Sequence, residues 1–203
     1  MAVIWFVSLR VFMKKNRLRK QLLERGQSLS DEFINSSKIK IQESLIKTDI
    51  FNNAKKILLY KNIRGEISTD EIFLQACKRK IEVYYPKVSE NHKITFNKSP
   101  LNPEFVNNKY GIPELINNDF VNPLDLSLAV IPLVGVDASG YRLGYGGGYF
   151  DRIFNSDKKE HAPITIGLGY EYQILSDEFK EPHDMRYSLV ITEANIYNFN
   201  LKL

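Results

Sequence analysis

Glycine is concentrated in one short stretch of this chain. Five of the eleven glycines lie in residues 140–148, directly after an apolar run, residues 126–136, which predicts a buried strand. Glycine permits positive φ and close approach to the main chain, so several N–H groups can face one oxyanion. The pattern therefore predicts a phosphate-binding loop, followed by a short helix over residues 149–154 whose N-terminus adds to the anion site. A glycine turn between two strands is the alternative.

Two familiar phosphate loops do not match this stretch. A Walker loop requires Gly-Lys-Ser or Gly-Lys-Thr at its end, and a dinucleotide fingerprint requires glycine where Tyr149 stands. Charged residues nevertheless flank the glycines, with Arg142 among them and Asp151 and Arg152 after them. Cationic, acidic and aromatic groups therefore meet at one point of the chain, which favours a ligand over a plain turn.

The apolar segments predict one α/β domain. The chain has 203 residues, 43% hydrophobic and 26% charged, which is enough for a single sizeable core. A strand at 56–60, a helix opened by a capping box from Ser68 to Glu71, and a strand at 81–85 stopped by Pro86 indicate a parallel sheet. Further strand-like segments are residues 94–96, 128–133, 163–170 and 188–192. We expect three layers, α/β/α, around a mainly parallel central sheet.

The N-terminal part divides into an apolar extension and two helices. Residues 1–12 are too few to span a bilayer and lack the basic start and cleavage site of a signal peptide. We expect a surface extension or an upstream start codon, with the domain itself at residues 13–203. The basic residues of 14–20 follow on a helix whose Leu18 and Leu22 face the core; by charge alone this cluster is a solvated face. A second helix starts at a serine cap in residues 28–30.

Charge and cysteine content narrow the partners and the compartment. A net charge of +4 and a pI near 9.0 favour anionic ligands, but the strands lack the interleaved basic and aromatic residues of RNA-binding modules. We expect no nucleic-acid partner and no membrane partner. The single cysteine, Cys77, excludes an internal disulfide and suits a reducing cytoplasm, and its helical spacing from Phe73 predicts a core position.

The glycine stretch also carries a family resemblance. Residues 142–152, Arg-Leu-Gly-Tyr-Gly-Gly-Gly-Tyr-Phe-Asp-Arg, resemble the signature of the 5-formyltetrahydrofolate cyclo-ligases, also called 5,10-methenyltetrahydrofolate synthetases. The resemblance runs from Met13 to about Thr192 and includes Glu-Pro-His-Asp at residues 181–184. The chain departs from the family at Pro-Leu-Val-Gly, residues 132–135, where Pro-Gly-Val is usual, and at Phe150, which replaces a frequent tyrosine.

The resemblance implies an enzyme that uses ATP and Mg²⁺ to cyclise 5-formyltetrahydrofolate, with or without a polyglutamate tail, to 5,10-methenyltetrahydrofolate, releasing ADP and phosphate. Phosphorylation makes the formyl oxygen a better leaving group, so the neighbouring folate nitrogen can close the ring without a protein nucleophile. Two rivals stay open from the residues alone: another α/β enzyme acting on a phosphorylated ligand, such as a sugar-phosphate isomerase, and a basic RNA-binding module.

The resemblance also assigns residues to roles. It implies Arg142 and Tyr149 as catalytic residues, and Asp151 and Asp184 as Mg²⁺ ligands. The implied ATP site comprises Lys15, Arg19, Arg142, Leu143, Gly144, Tyr145, Gly146, Gly147, Gly148, Tyr149 and Phe150. The implied folate site comprises Lys61, Glu66, Tyr145, Gly146, Gly147, Gly148 and Tyr149. Magnesium takes carboxylates and substrate phosphates as ligands, but the pairing of the two aspartates comes from the resemblance and not from their spacing.

Glu66 has independent support from its position. It lies in a loop after the predicted strand at 56–60, and open α/β sheets bind ligands at the carboxyl ends of their strands. A solvated loop acid is the plain alternative. In the folate role, its carboxylate suits a pterin, whose amino group and ring N–H form a pair of donors.

Overall fold

Helices dominate the chain up to residue 78 and strands dominate after it. The computed structural model describes residues 2–88, 93–155 and 162–199, with side chains from Arg10 onward. The helices are α1 (Ala2–Gln27), α2 (Asp31–Ile46), α3 (Asp49–Asn52), α4 (Asp70–Lys78) and α5 (Tyr149–Phe154), with 3-10 helices at Pro123–Asp125 and Glu171–Gln173. The strands are β1 (Lys56–Leu58), β2 (Glu82–Val88), β3 (Ile94–Lys98), β4 (Phe105–Asn107), β5 (Pro113–Leu115), β6 (Phe120–Val121), β7 (Leu128–Ile131), β8 (Gly135–Val136), β9 (Arg142–Leu143), β10 (Ile164–Leu168), β11 (Leu189–Ile191) and β12 (Ile196–Asn198).

Eight of these strands form the central sheet, in the order β12-β11-β10-β7-β1-β2-β3-β6. The five inner strands, from β11 to β2, are parallel to one another. Antiparallel strands close both edges, while β4–β5 and β8–β9 form separate two-stranded hairpins. The mainly parallel sheet predicted from the sequence is confirmed.

Each face of the sheet carries its own core, because successive side chains of a strand point to opposite faces. Ile57 packs with residues of α2 and α4 on one face. Leu58, the next residue, packs on the other face with Phe154 of α5. The helices therefore cover both faces, which confirms the predicted layers, and α5 matches the predicted short helix.

The start of α4 differs from its prediction. The N-cap residue is Thr69, and its side chain makes no capping hydrogen bond, so the predicted capping box is wrong. Gln42 of α2 accepts from the Glu71 N–H instead, at 2.9 Å. A buried side chain from another helix therefore satisfies a donor that the local sequence was expected to satisfy. By contrast, α2 has its predicted serine cap, because Ser30 Oγ accepts from the Phe33 N–H.

Strand β2 also runs further than predicted. It continues through Pro86 to Val88, so the prediction that Pro86 stops the strand is wrong. Strand β1 accompanies β2 only as far as Tyr84, and beyond that point β2 pairs with β3 alone. Proline is tolerated where a strand has a neighbour on one side only.

Two further expectations concern burial and membrane contact. Cys77 is half-buried on α4, so the predicted core position is wrong, and burial raises the pKa of its thiol. The core face of α4 consists of Ile72 and Ala76. Across the residues that the structure describes, no helix is long and apolar enough to cross a membrane.

Candidate active site

The glycine stretch lies at the carboxyl end of β7, where it forms part of a hairpin and then enters α5. Strands β8 and β9 pair on either side of the turn at Gly140. Gly146 and Gly148 have φ of 106° and 62°, a region that side-chain-bearing residues rarely adopt. Gly148 is also the N-cap of α5. The glycines are therefore required by the backbone that carries Tyr145 and Tyr149 into the site.

A cavity of about 950 Å³, counting its open mouth, lies beside this stretch. Its wall includes residues predicted for ATP or folate, namely Lys61, Glu66, Arg142, Tyr145, Gly147, Gly148, Tyr149 and Phe150. The rest of the wall, which the sequence did not predict, is Tyr60, Ile63, Arg64, Pro86, Val88, Ile94, Tyr110, Ile112, Pro113, Glu114 and Pro132.

Arg142 is buried at one side of this cavity with only 5% of its surface exposed. Its Nη1 donates to Asp151 Oδ2 at 3.0 Å, and its Nε donates to the Pro132 carbonyl at 2.8 Å. The guanidinium carbon lies 5.4 Å from the centre of the Phe150 ring. The aromatic face that remains at Phe150 therefore packs against the arginine, without the hydroxyl that a tyrosine has there.

Lys15 of α1 is the second buried cation. Its Nζ donates to Asp184 Oδ2 at 2.5 Å and to Glu181 Oε2 at 2.7 Å. It is 4% exposed, so the solvated-face interpretation does not hold for Lys15, although Arg17 and Lys20 of the same cluster are exposed. The helix face that bears Lys15 therefore points at the 181–184 segment.

Arg19 lies one turn further along α1 and reaches the glycine stretch. Its Nε donates to the Gly144 carbonyl at 2.7 Å. Burial lowers the pKa of Arg19, while the nearby carboxylates of Asp184 and Asp151 raise it. Leu18 and Leu22, which flank Arg19 on the core side, pack against Leu143 as the predicted helix face requires.

The two predicted metal ligands lie close together. The Met185 N–H, next in the chain to Asp184, donates to Asp151 Oδ1 at 3.3 Å. Among the described residues, a group with metal-ligand spacing is formed by Glu181, His183 and Asp184, whose ligand atoms lie within 4.8 Å of one another. The carboxylates of Glu181 and Asp184 are oxygen ligands of the kind that Mg²⁺ takes, whereas the His183 imidazole is not, and Asp151 lies outside this group.

Glu66 also lines the cavity and lies in a tight turn. Arg64 and Gly65 have φ of 49° and 82°, and the Ile63 N–H donates to Glu66 Oε2 at 2.8 Å. Burial raises the pKa of Glu66 to about 7, against the opposing effect of hydrogen bonds from Ile63 and Tyr145. Glu66 is therefore a partly buried acid and not a solvated one.

Two predicted residues are engaged elsewhere. Lys61 lines the cavity, but its Nζ lies 2.5 Å from Asp70 Oδ1 in an ion pair. Leu143 is 1% exposed within the core cluster that docks α1, and its carbonyl accepts from the Val134 N–H. The assignment of Leu143 to the ATP site therefore stays a prediction that involves its backbone only.

Sequence reasoning missed functional neighbours of two kinds. Glu181 was quoted for the resemblance but given no role, although its carboxylate contacts Lys15 beside Asp184. Its position three residues before a predicted ligand was the available signal. The cavity wall from β2 and β3 had no such signal, because its members, Pro86, Val88 and Ile94, are ordinary strand residues that only the sheet order brings to the cavity.

Comparisons with known proteins find similar sequences along most of the chain. The model of the 5-formyltetrahydrofolate cyclo-ligase family matches residues 11–193. A 5-formyltetrahydrofolate cyclo-ligase of Mycoplasma pneumoniae is 31% identical over 187 residues, which cover 89% of this chain and 99% of that protein.

Two solved structures resemble the fold. A 5,10-methenyltetrahydrofolate synthetase of Aquifex aeolicus superposes with a TM-score of 0.79 at 30% identity, covering 93% of this chain and 94% of the other. A synthetase of Mycoplasma pneumoniae gives 0.71 at 28% identity, covering 88% and 98%. Since the family model spans nearly the whole sheet and the glycine stretch, the chain belongs to the 5-formyltetrahydrofolate cyclo-ligase family.

Proposed function

We propose that this chain cyclises 5-formyltetrahydrofolate to 5,10-methenyltetrahydrofolate and converts ATP to ADP and phosphate, the formyl oxygen leaving in the phosphate. The observation that carries the proposal is a cluster of three cations beside a cavity that Glu66 also lines: Arg142 and Arg19 lie at the glycine stretch, and Lys15 lies at the adjoining 181–184 segment. Cations that face one loop suit a triphosphate, and the adjoining cavity suits a ring system. We place the reaction in the cytoplasm, in keeping with the lone thiol of Cys77.

Two of the three cations, Lys15 and Arg142, are paired with carboxylates in this structure, and the proposal assigns a change of partner to both. Lys15 and Arg142 release their carboxylates and donate to phosphate oxygens when the nucleotide binds. The released carboxylates of Asp184 and Asp151 are then available to Mg²⁺, together with Glu181. When bound, Mg²⁺ offsets negative charge on the phosphates. The exchange keeps every buried charge compensated, which the burial of these groups requires.

Folate binding is assigned to the part of the cavity that Glu66 lines. The Glu66 carboxylate accepts the donor pair of the pterin, and Tyr149 and Phe150 provide aromatic surface between that ring and the phosphates. The formyl oxygen then attacks the terminal phosphorus and ADP leaves. The neighbouring folate nitrogen attacks the activated formyl carbon, and the C–O bond breaks to release phosphate. Arg142 stabilises the charge on the transferring group by hydrogen bonding.

A direct assay tests this proposal. Purified protein is mixed with 5-formyltetrahydrofolate and Mg-ATP, and the methenyl chromophore is followed by absorbance alongside phosphate release. We expect both signals in equal amounts, with neither when ATP is omitted. Phosphate release without the chromophore would contradict the assigned reaction and return the chain to the wider class of ATP-using enzymes.

A further inference from the structure

The β4–β5 hairpin forms one side of the cavity, and its tip is held in a different way from its base. At the base, Phe105 and Leu115 pack against the core of one sheet face. The tip, residues 108–113, is exposed or half-buried, so burial in the core does not fix its position. Three residues of the tip nevertheless line the cavity, namely Tyr110, Ile112 and Pro113. Their placement must therefore come from polar contacts.

Glu114, which follows the tip, supplies such contacts. Its side chain lines the cavity and the residue is only 8% exposed. Its Oε1 accepts from the Val88 N–H at 2.8 Å and from Asn108 Nδ2 at 2.7 Å. Val88 is the last residue of β2, beyond the point where β1 accompanies that strand, so Glu114 satisfies a backbone donor at the open side of β2. One carboxylate oxygen therefore joins the hairpin to the central sheet.

Asn108 extends this connection into the tip. Its Oδ1 accepts from the Tyr110 N–H at 2.8 Å and from the Ile112 N–H at 3.1 Å. The Asn108 N–H donates to the Ile112 carbonyl, and Gly111 supplies the positive φ of the turn. An asparagine side chain that accepts from the backbone two residues further on is a common turn former. Because Glu114 holds one end of the Asn108 amide and the tip is bonded to the other end, the carboxylate fixes the tip through Asn108.

We infer that Glu114 is a positioning residue that, through Asn108, sets the hairpin tip as a wall for the folate ring and thereby determines folate affinity without changing nucleotide affinity. The inference rests on the proposed function. Lys61, which precedes Glu66 in the same loop, has its Nζ 5.5 Å from the centre of the Phe105 ring, so the hairpin adjoins the part of the cavity assigned to folate. A wall that is already ordered lowers the entropic cost of binding the ring.

The first test is steady-state kinetics of methenyl formation, with 5-formyltetrahydrofolate and Mg-ATP varied separately. For Glu114→Ala, which leaves two donors without their acceptor, we expect the KM for folate to rise about tenfold and the KM for ATP to stay within about twofold. Glu114→Gln keeps a carbonyl oxygen that can accept both bonds, so its KM for folate should stay within about threefold of wild type. Glu104→Ala is the matched control, because Glu104 is exposed just before β4 and its loss removes the same charge.

A second variant breaks the same connection from its other end. Asn108→Asp keeps an oxygen that accepts from the tip N–H groups but replaces the donor to Glu114 with a second carboxylate oxygen. We expect it to raise the KM for folate as Glu114→Ala does. In the Glu114→Ala background, Asn108→Asp should add little, because the bond that it breaks is already absent. Hydrogen exchange of the amides of residues 109–113 gives a readout besides activity, and both single variants should speed it.

The outcomes separate this inference from the proposed function. Faster exchange in the tip with an unchanged KM for folate would make Glu114 a purely structural residue and overturn the inference alone. Equal rises in the KM for folate and for ATP would indicate general damage, with the same consequence. Unchanged exchange and unchanged kinetics in both single variants would show that Glu114 does not hold the tip. A wild type that forms no methenyl product overturns the proposed function and this inference together.

Discussion

Buried charges at the site serve stability and ligand binding at once. Arg142 with Asp151 and Lys15 with Asp184 are four groups that are each at most 8% exposed, and each charge has an opposite partner. Removing one partner of a buried pair leaves the other uncompensated, which costs about 3–5 kcal/mol. Substitutions that remove a charge here therefore need a readout that separates folding from binding.

A titration of Mg²⁺ provides that separation for the two aspartates. For Asp151→Asn and Asp184→Asn we expect the Mg²⁺ midpoint of ATP-dependent activity to rise by roughly tenfold or more, with partial rescue at high Mg²⁺, because the amide keeps an oxygen and loses the charge. Asp177→Asn is the control, since Asp177 pairs with Lys14 at the surface near the same helix. Unchanged midpoints in both variants would remove the aspartates from the metal site.

Glu66 gives a prediction about stability and pH. Its pKa is raised from 4.5 to about 7, so the folded state retains a proton that the unfolded state loses between these values, and stability falls as pH rises through this window. Glu66→Gln has no such loss, because glutamine does not titrate. We therefore expect the unfolding free energy of the variant, relative to that of wild type, to be greater at pH 8 than at pH 4.5 by on the order of 1–3 kcal/mol. Urea unfolding at both pH values measures the gain. A difference between the two proteins that does not vary with pH would contradict the raised pKa.

At the scale of elements, α1 is the least anticipated feature. The sequence suggested a separate apolar extension before Met13, whereas one helix spans Ala2–Gln27 without a break. Among the side chains that the structure describes, from Arg10 onward, Lys15, Arg19 and Leu22 hold this helix to the domain.

A pair of variants tests which half of α1 matters. Deletion of residues 1–12 should leave methenyl formation within about twofold of the full chain, because Phe12 and Met13 are exposed at the boundary. Leu22→Ala should destabilise the protein by about 2–4 kcal/mol and weaken ATP binding, because Leu22 is buried against Val134 and Leu143. Denaturation and nucleotide titration measure the two effects. A large loss of activity on deletion, together with a mild effect of Leu22→Ala, would show that the first half of α1 and not the second half matters for function.

At the scale of the whole molecule, the departure at residues 132–135 is accommodated by the neighbouring strand. Leu133 is buried over β10, where a methyl group placed on Gly167 would lie 2.7 Å from Leu133 Cδ2 and 3.1 Å from Val190 Cγ2. The same leucine covers Gly169, whose added methyl would lie 2.9 Å from Leu133 Cδ1. The bulky turn residue therefore fits because two glycines leave room beneath it.

This packing gives a prediction about coupling. Gly167→Ala should destabilise the protein by about 1–3 kcal/mol, because Leu133 and Val190 both crowd the new methyl group. In the double variant with Leu133→Ala, the total loss should be smaller than the sum of the single losses, since the closest contact is gone. Urea denaturation of the four proteins measures the cycle, and simple additivity would show that the two positions do not share this space.

Local sequence was sufficient where the physical cause is local. The glycine stretch, the serine cap at Ser30 and the short helix α5 are consequences of glycine φ, side-chain capping and near-neighbour periodicity, and the alternation of apolar segments with helices predicted a parallel sheet. The family signature added residue roles that spacing alone did not contain. Local signals failed at the start of α4, where the buried Gln42 of another helix accepts the hydrogen bond expected of a local cap. They failed also at Pro86, because β2 continues there with a strand partner on one side only.

Tertiary structure decided which of these pieces share the site. The sheet order places the ends of β1 and β7 side by side, so that Glu66 and Tyr145 line the same cavity although they are 79 positions apart in the sequence. The packing of Leu18 and Leu22 turns Lys15 inward to two acids near the other end of the chain. Sequence determined the chemistry that is available, because it fixes residue types and local backbone preference. Only the fold determined which charges are buried together, because burial and pairing depend on contacts between distant segments.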